Sequence, residues 1–262
     1  MQIPDVSDAD SELAKTADSE LAKTAAALES KFGVDVKCAM RFSKARKGHL
    51  AKAEAFLEAD LKWRKEFQPD TIRQENIPNS LPSGNWRVVG AADGTGFPVL
   101  FINLALWNPN DYDVEEYGRY AAYFLEHMCK MGERFIVVFD MKGWKLSHGF
   151  HMRKIKRLIT TLQDHYPERL ERALLFRAPG IFAGAWAVIK GFVDPDTAEK
   201  IKFVTLLNEE SSALREVGAW AKMPKIYGGG CTEKVPVPNL PGEPNVDECP
   251  DVDGSRGPVI VK

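Results

Sequence analysis

Apolar residues recur three or four positions apart in the first quarter of the chain, and in short dense runs separated by helical spacing after it. Leu13, Ala17, Leu21, Ala25, Leu28 and Phe32 mark one face of a helix. That helix contains a duplicated octapeptide, residues 10–17 repeated as 18–25. Asp10 or Ser11 suits its start and Gly33 its end. Helical spacing continues over 35–67, with Leu50, Ala53, Leu57 and Leu61 on one face and Lys52, Glu54, Glu58, Lys62 and Lys65 opposite. Gly48 separates two helices, and Gln68-Pro69-Asp70 breaks the run.

The texture changes after Pro78. Residues 86–91 and 98–104 are rich in β-formers and flank Asp93-Gly94-Thr95-Gly96, which predicts a hairpin. A helix is expected over about 115–128, a strand over 135–139, and an amphipathic helix carrying Ile155, Leu158, Ile159 and Leu162. A strand over 174–178, a helix over 182–192 and a strand over 202–207 follow. Strands alternating with helices of this length require crossovers, hence a largely parallel sheet in an α/β domain over about 81–227. The helix over 182–192 is apolar on all sides, with Lys190 its sole charge. Such a helix is either buried in a core or covers an apolar cavity. From Thr232 onward six prolines and interspersed acids leave an extended or disordered tail.

Composition narrows the function. The chain has 262 residues, 44% of them hydrophobic, with 35 basic and 37 acidic side chains. Near-neutral charge speaks against a nucleic-acid binder. Cys38, Cys129, Cys231 and Cys249 are too scattered for a disulfide framework. The start of the chain has no apolar run of a secretory signal, and no stretch approaches the ~18 apolar residues that span a bilayer. Cytoplasmic residence is the expectation.

Chemistry-bearing groups are sparse. Ser147 lacks the G-x-S-x-G elbow, and no nucleophile–base pair supports an enzyme. His148 and His151 have no third ligand at metal spacing, so no metal and no cofactor are expected. Asp251-Val252-Asp253-Gly254 lacks the closing Glu of a calcium loop. Gly94-Thr95-Gly96 and Gly228-Gly229-Gly230 lack the strand–helix setting of a phosphate loop. In Asp194-Pro195-Asp196-Thr197, Asp is a natural N-cap and Pro a natural first helical residue. The same geometry offers backbone N–H groups, the Thr197 hydroxyl and the Lys200 ammonium to an anion.

Taken in order, several segments resemble the CRAL-TRIO lipid-binding family, in its phosphatidylinositol transfer branch. They are residues 41–47, Leu61-Lys62-Trp63-Arg64-Lys65, Phe97-Pro98-Val99, Asp140-Met141-Lys142-Gly143, Tyr166-Pro167-Glu168-Arg169, Ala178-Pro179, residues 190–195 and residues 224–229. The resemblance implies a small N-terminal helical lobe beside an α/β lobe whose mainly parallel sheet floors an apolar pocket, closed by a gate helix over 182–193. It divides the chain into a repeat-bearing extension (1–33), a helical lobe (34–78), a lipid-binding domain (79–230) and a tail (231–262).

It also implies a headgroup site of Arg46, Glu168, Thr197 and Lys200. A phosphodiester needs cationic and hydroxyl donors, and inositol hydroxyls need a carboxylate acceptor. Phe135, Val137, Phe139, Phe182, Trp186, Ile189, Phe192 and Val193 are the expected pocket and gate. Ser43, Gly48 and His49 depart from the family's Leu, Phe and Asp, and Gly191 from its Pro. Members that carry phosphatidylcholine place hydroxyl residues on the strand that here holds Phe135 and Val137, which argues against that lipid as second ligand. A sterol, an isoprenoid or a haem-like hydrophobe remains open. The implied function is lipid exchange by a monomer that visits membrane surfaces transiently. The alternative is a lipid-loaded sensor or adaptor that binds a protein partner through its termini.

Overall fold

The computed structural model describes residues 6–205, 207–223, 227 and 229–231. They form two compact units, one running to Gln68 and including Asp164–Glu168, the other formed by Pro69–Gln163 and the residues from Arg169 on. The division thus falls at Gln68, not at residue 78. The tail, and Pro224, Lys225, Ile226 and Gly228 of the last motif, lie outside the described residues.

The helical unit holds α1 (Val6–Phe32), α2 (Val36–Ala45) and α3 (Leu50–Phe67). Helix α1 begins before the expected Asp10 or Ser11. Asp35 caps α2, its carboxylate accepting the Cys38 N–H. Ala25 and Leu28 of α1 share one core with Ala39, Phe42, Ala53 and Leu57, each at most 2% exposed. The second copy of the repeat thus contributes Ala25 to this core.

This packing explains two departures from the family pattern. Ser43 is fully buried, and its hydroxyl donates to the Leu21 carbonyl of α1 at 2.8 Å. Gly48 has φ +76°, and a Cβ there would meet the α1 backbone at Glu20. Its carbonyl accepts from the Thr24 hydroxyl at 2.6 Å. A Leu and a Phe would occupy the space that α1 fills.

The second unit is built on a five-stranded sheet in the order β1 (Trp86–Ala91), β2 (Pro98–Asn103), β3 (Phe135–Asp140), β4 (Leu170–Phe176), β5 (Ile201–Val204). β1 and β2 form the expected antiparallel hairpin, and the remaining pairs are parallel. The connections carry α4 (Val114–Met131), α5 (Met152–His165), α6 (Phe182–Lys190) and α7 (Pro195–Glu199), and α8 (Leu207–Glu216) follows β5. Each parallel strand is added beside its predecessor, so right-handed crossovers place their helices on one face. Val99, Phe101, Ile136, Val138, Leu174, Phe176 and Val204 point to the opposite face, where Ala213 and Leu214 of α8, Ala219, Met223 and Tyr227 seal them.

Two strand expectations are corrected. β4 runs over 170–176, not 174–178, and ends at Arg177, whose φ of +57° leaves β geometry. The expected strand over 202–207 stops at Val204, because Leu207 opens α8, a helix with few apolar positions.

Buried polar groups tie the frame together. Burial alone would raise the Glu116 pKa, but hydrogen bonds from the Asn79 side chain and from the backbone and hydroxyl of Ser80 hold it below the ordinary carboxylate range. Glu210, 2% exposed, receives two bonds from the Arg177 guanidinium, at 2.9 and 3.1 Å.

Because Leu28 is fully buried in the core of the helical unit, Leu28→Ala should cost about 3 kcal/mol. The expected readout is a lower urea midpoint at unchanged slope. An unchanged midpoint would contradict the place of α1 in the core.

Candidate functional site

Between the crossover face of the sheet and its helices lies a cavity. Its atom-free space is about 1010 Å³ including the mouth, and about 180 Å³ when only positions open to a water molecule's centre are counted. A single water needs only ~10–15 Å³ by the second measure, so this is no packing defect. Ile102, Val137, Phe139, Leu170, Ala173, Leu175 and Ile201 form the floor, all on strands. Ile155, Leu158, Ile159 and Leu162, the apolar stripe of α5, form one wall. Phe182, Trp186, Ile189 and Val193, from α6 and the residues after it, form another.

The local sequence explains this geometry. Alternation along β3 sends Val137 and Phe139 to the cavity, and Ile136 and Val138 to the packed face. On β4 the register shifts: Phe135 pairs with Leu170, but Ile136 pairs with Arg172. Such a bulge resets the alternation, so that Leu170 and Ala173, three apart, both reach the cavity. Phe135, beside the bulge, is buried outside the cavity wall. Phe192 also lies outside it, with the Lys156 ammonium 5.2 Å from its ring centre. Both residues were expected in the pocket. Phe135 is the first residue of β3, on the far side of the bulge from Val137, and Phe192 lies beyond the end of α6.

Helix α6 resolves its own ambiguity. Phe182 and Ile189 are buried, whereas Ala183, Gly184, Ala187 and Val188 are exposed. It therefore covers a cavity and turns its second apolar face outward.

Aromatic residues absent from the expected set shape the rim. Trp107 and Trp144 line the cavity from the loops after β2 and β3. Trp144 packs edge-on against Phe182 at 4.9 Å. His148, 4% exposed, sits 4.9 Å from Trp107 and 5.4 Å from Trp144, and its Nδ1 accepts the Lys145 N–H at 3.3 Å. Burial, then the charges of Lys145 and His151, lower its pKa, so it serves as a neutral packing residue. Gly143 completes the loop after β3, because a Cβ there would strike the Ala105 backbone at 2.1 Å. Lys154 of α5 donates to the Pro109 and Tyr112 carbonyls and holds the loop that carries Trp107. Trp107 and Trp144 sit in non-periodic loops, and their identity as Trp was the only sequence signal.

Few polar groups reach the cavity. Tyr117 lines it, with a phenol that burial holds well above its ordinary pKa and hence neutral. Gln163 lines it too, but its Oε1 accepts the Asp194 N–H at 3.0 Å. Thr197 is the remaining hydroxyl.

The expected headgroup residues are distributed over both units. In the helical unit, the Arg46 guanidinium lies 3.5 Å over the Phe56 ring, and Glu168 has φ +59°. In the second unit, Thr197 and Lys200 lie on and just after α7. Asp194 caps α7 by accepting the Thr197 N–H at 2.8 Å. That backbone donor is therefore engaged, and an anion there would meet the side chains instead.

A search against family models matches residues 86–229, more than half of the chain, to the CRAL/TRIO domain. The chain belongs to the CRAL/TRIO family. It is similar to the phosphatidylinositol/phosphatidylcholine transfer protein SFH12 of Arabidopsis thaliana, at 30% identity over 88% of this chain and 46% of that one. It is also similar to the phosphatidylinositol transfer protein CSR1 of Eremothecium gossypii, at 28% identity over 78% of this chain and 50% of that one. Thus it spans about half the length of these relatives. The SEC14 cytosolic factor of Candida glabrata is 28% identical, over 75% of this chain and 71% of the relative. Among solved structures, the crystal structure of Sfh5 superposes with a TM-score of 0.62 at 19% identity, covering 90% of this chain and 95% of that one, and so shares the fold. No helix among the described residues of this CRAL/TRIO chain is long and apolar enough to cross a membrane.

Ala173 is the smallest side chain on the cavity floor. Ala173→Phe should fill the cavity, cut uptake of a fluorescent lipid at least about tenfold, and leave the melting temperature within about 3 °C. Unaltered uptake would place the ligand elsewhere.

Proposed function

We propose that this chain is a lipid carrier, not an enzyme, which takes up phosphatidylinositol or a related phospholipid and a second, purely apolar ligand and exchanges them at membrane surfaces. The observation that carries the reading is a deep cavity lined almost wholly by apolar side chains and walled by a helix whose outer face is apolar as well. Each buried methylene is worth roughly 0.8 kcal/mol against water, so a chain of ~16 carbons does not cross water unaided. A closed cavity removes that cost, and exchange with a bilayer becomes nearly isoenergetic. The names of the relatives, phosphatidylinositol transfer proteins, support the same reading.

Contact with a membrane has support on the surface of the second unit. Leu146 and Phe150 are 67% and 82% exposed, and Ile181 and Val188 beside the cavity wall are 56% and 51% exposed. The chain from Met141 to Gln163 carries several Lys and Arg and no acid, which suits an anionic lipid surface. For the headgroup, Arg46 and Lys200 supply cations, Thr197 a hydroxyl and Glu168 an acceptor. The second ligand meets Val137 and Phe139 where a choline phosphate would need hydroxyls, which favours a sterol, an isoprenoid or a haem-like hydrophobe.

A charge-assisted bond contributes roughly 1.5–3 kcal/mol. Lys200→Ala and Arg46→Ala should each slow phosphatidylinositol transfer between vesicles by about tenfold or more, with circular dichroism unchanged. Wild-type rates in both would overturn the headgroup assignment. Native mass spectrometry of chain purified from its source should reveal a lipid without choline phosphate, and stoichiometric phosphatidylcholine would overturn the apolar second ligand.

A further inference from the structure

We infer that Asp60, Trp63 and Arg64 of α3 are positioning residues for headgroup selection, acting through a grip on the segment that presents Glu168. The inference rests on the reading of Glu168 as the inositol acceptor. Glu168 is a non-glycine residue with φ +59°. That left-handed conformation persists only where its surroundings over-determine it. The three residues before it are held in that way, all within the helical unit.

His165 is clasped on two sides. Its ring stacks on the Trp63 indole, with centroids 3.7 Å apart and planes at 10°. Its Nδ1 lies 3.0 Å from Asp60 Oδ1, and its carbonyl accepts from Arg64 Nη2 at 3.4 Å. Asp60 is 2% exposed, and its second oxygen accepts Arg64 Nε at 3.1 Å. Tyr166, 4% exposed, lies edge-on to Trp63 at 6.3 Å, with the Arg64 guanidinium 5.5 Å from its ring. Pro167 then fixes its own φ. The chain enters Glu168 with its preceding turn immobilised.

Stability alone does not account for this choice of residues. Asp60 is buried but the Arg64 side chain is 33% exposed, and such ion pairs are weak stabilisers. Its directional bonds instead fix one arrangement of His165 and Tyr166. A carboxylate that accepts hydroxyls of one stereochemistry needs such fixing, because misplacement by about 1 Å forfeits the discrimination. The phosphate, drawn by the charges of Arg46 and Lys200, depends less on direction.

The test compares vesicle-to-vesicle transfer of phosphatidylinositol with that of phosphatidylglycerol, two anionic phosphodiesters of which one carries the inositol ring. Asp60→Asn should lower phosphatidylinositol transfer about fivefold and leave phosphatidylglycerol transfer within about twofold. Arg64→Lys, which keeps the charge but loses the fork, should shift the preference in the same direction and guards against misfolding of the first variant. Glu168→Gln should do likewise, and the Asp60→Asn/Glu168→Gln double variant should be no worse than Glu168→Gln. Equal losses for both lipids would show a merely structural role and overturn the inference, as would additive losses in the double variant. A preference altered by Glu168→Gln but untouched by Asp60→Asn and Arg64→Lys removes the grip alone. A preference untouched by Glu168→Gln removes the headgroup reading and the grip with it.

Discussion

The order in which the strands are laid down governs the rest of this molecule. From β2 to β5 each parallel strand joins the edge left by the last. With crossovers of one hand, α4, α5 and α6 share a face, and the other face must be closed by whatever chain remains after β5. Helix α8, Met223 and Tyr227 close it. Tyr227 belongs to the last motif because the sheet needs it: its ring packs 4.8 Å from Phe101 and lies 4.7 Å from the Arg177 guanidinium.

The two faces then divide the labour. On the sealed face Leu174 and Phe176 are fully buried against their neighbours, where close packing gives stability. On the crossover face Val137 and Ala173 are too short to reach α5 and α6, and a cavity remains. Strand alternation keeps these roles on separate residues, so the lining can vary in shape while the core behind it stays fixed. The bulge in β4, just after Arg169, resets that alternation within the cavity floor.

What was legible in the sequence follows from the range of the interactions. The hairpin, the α5 stripe and the Asp194 cap on α7 are local patterns of spacing and chemistry, and each can be read directly from the residues. The apolar helix over 182–192 was readable only as a pair of options, since periodicity does not distinguish a protein core from a cavity. Helix α8 was missed because its first turn is acidic and its apolar positions are few, while the short strand before it suggested continuation. Trp107 and Trp144 were missed as cavity rim because loops have no period. The Asp60–His165 pair spans 105 residues, and nothing local to either residue announces the other. The departures at Ser43 and Gly48 were visible as oddities, but their cause is the approach of α1, a tertiary fact.

The cavity also has a mechanical side. Space that no atom fills vanishes when the chain unfolds, and the volume change of unfolding scales with it. Whatever part of the enclosed space a lipid occupies is withdrawn from that change. Compressibility and resistance to hydrostatic pressure are thereby tied to cargo: a well-filled carrier is a stiffer body than a poorly filled one, with the same backbone and the same hydrogen bonds.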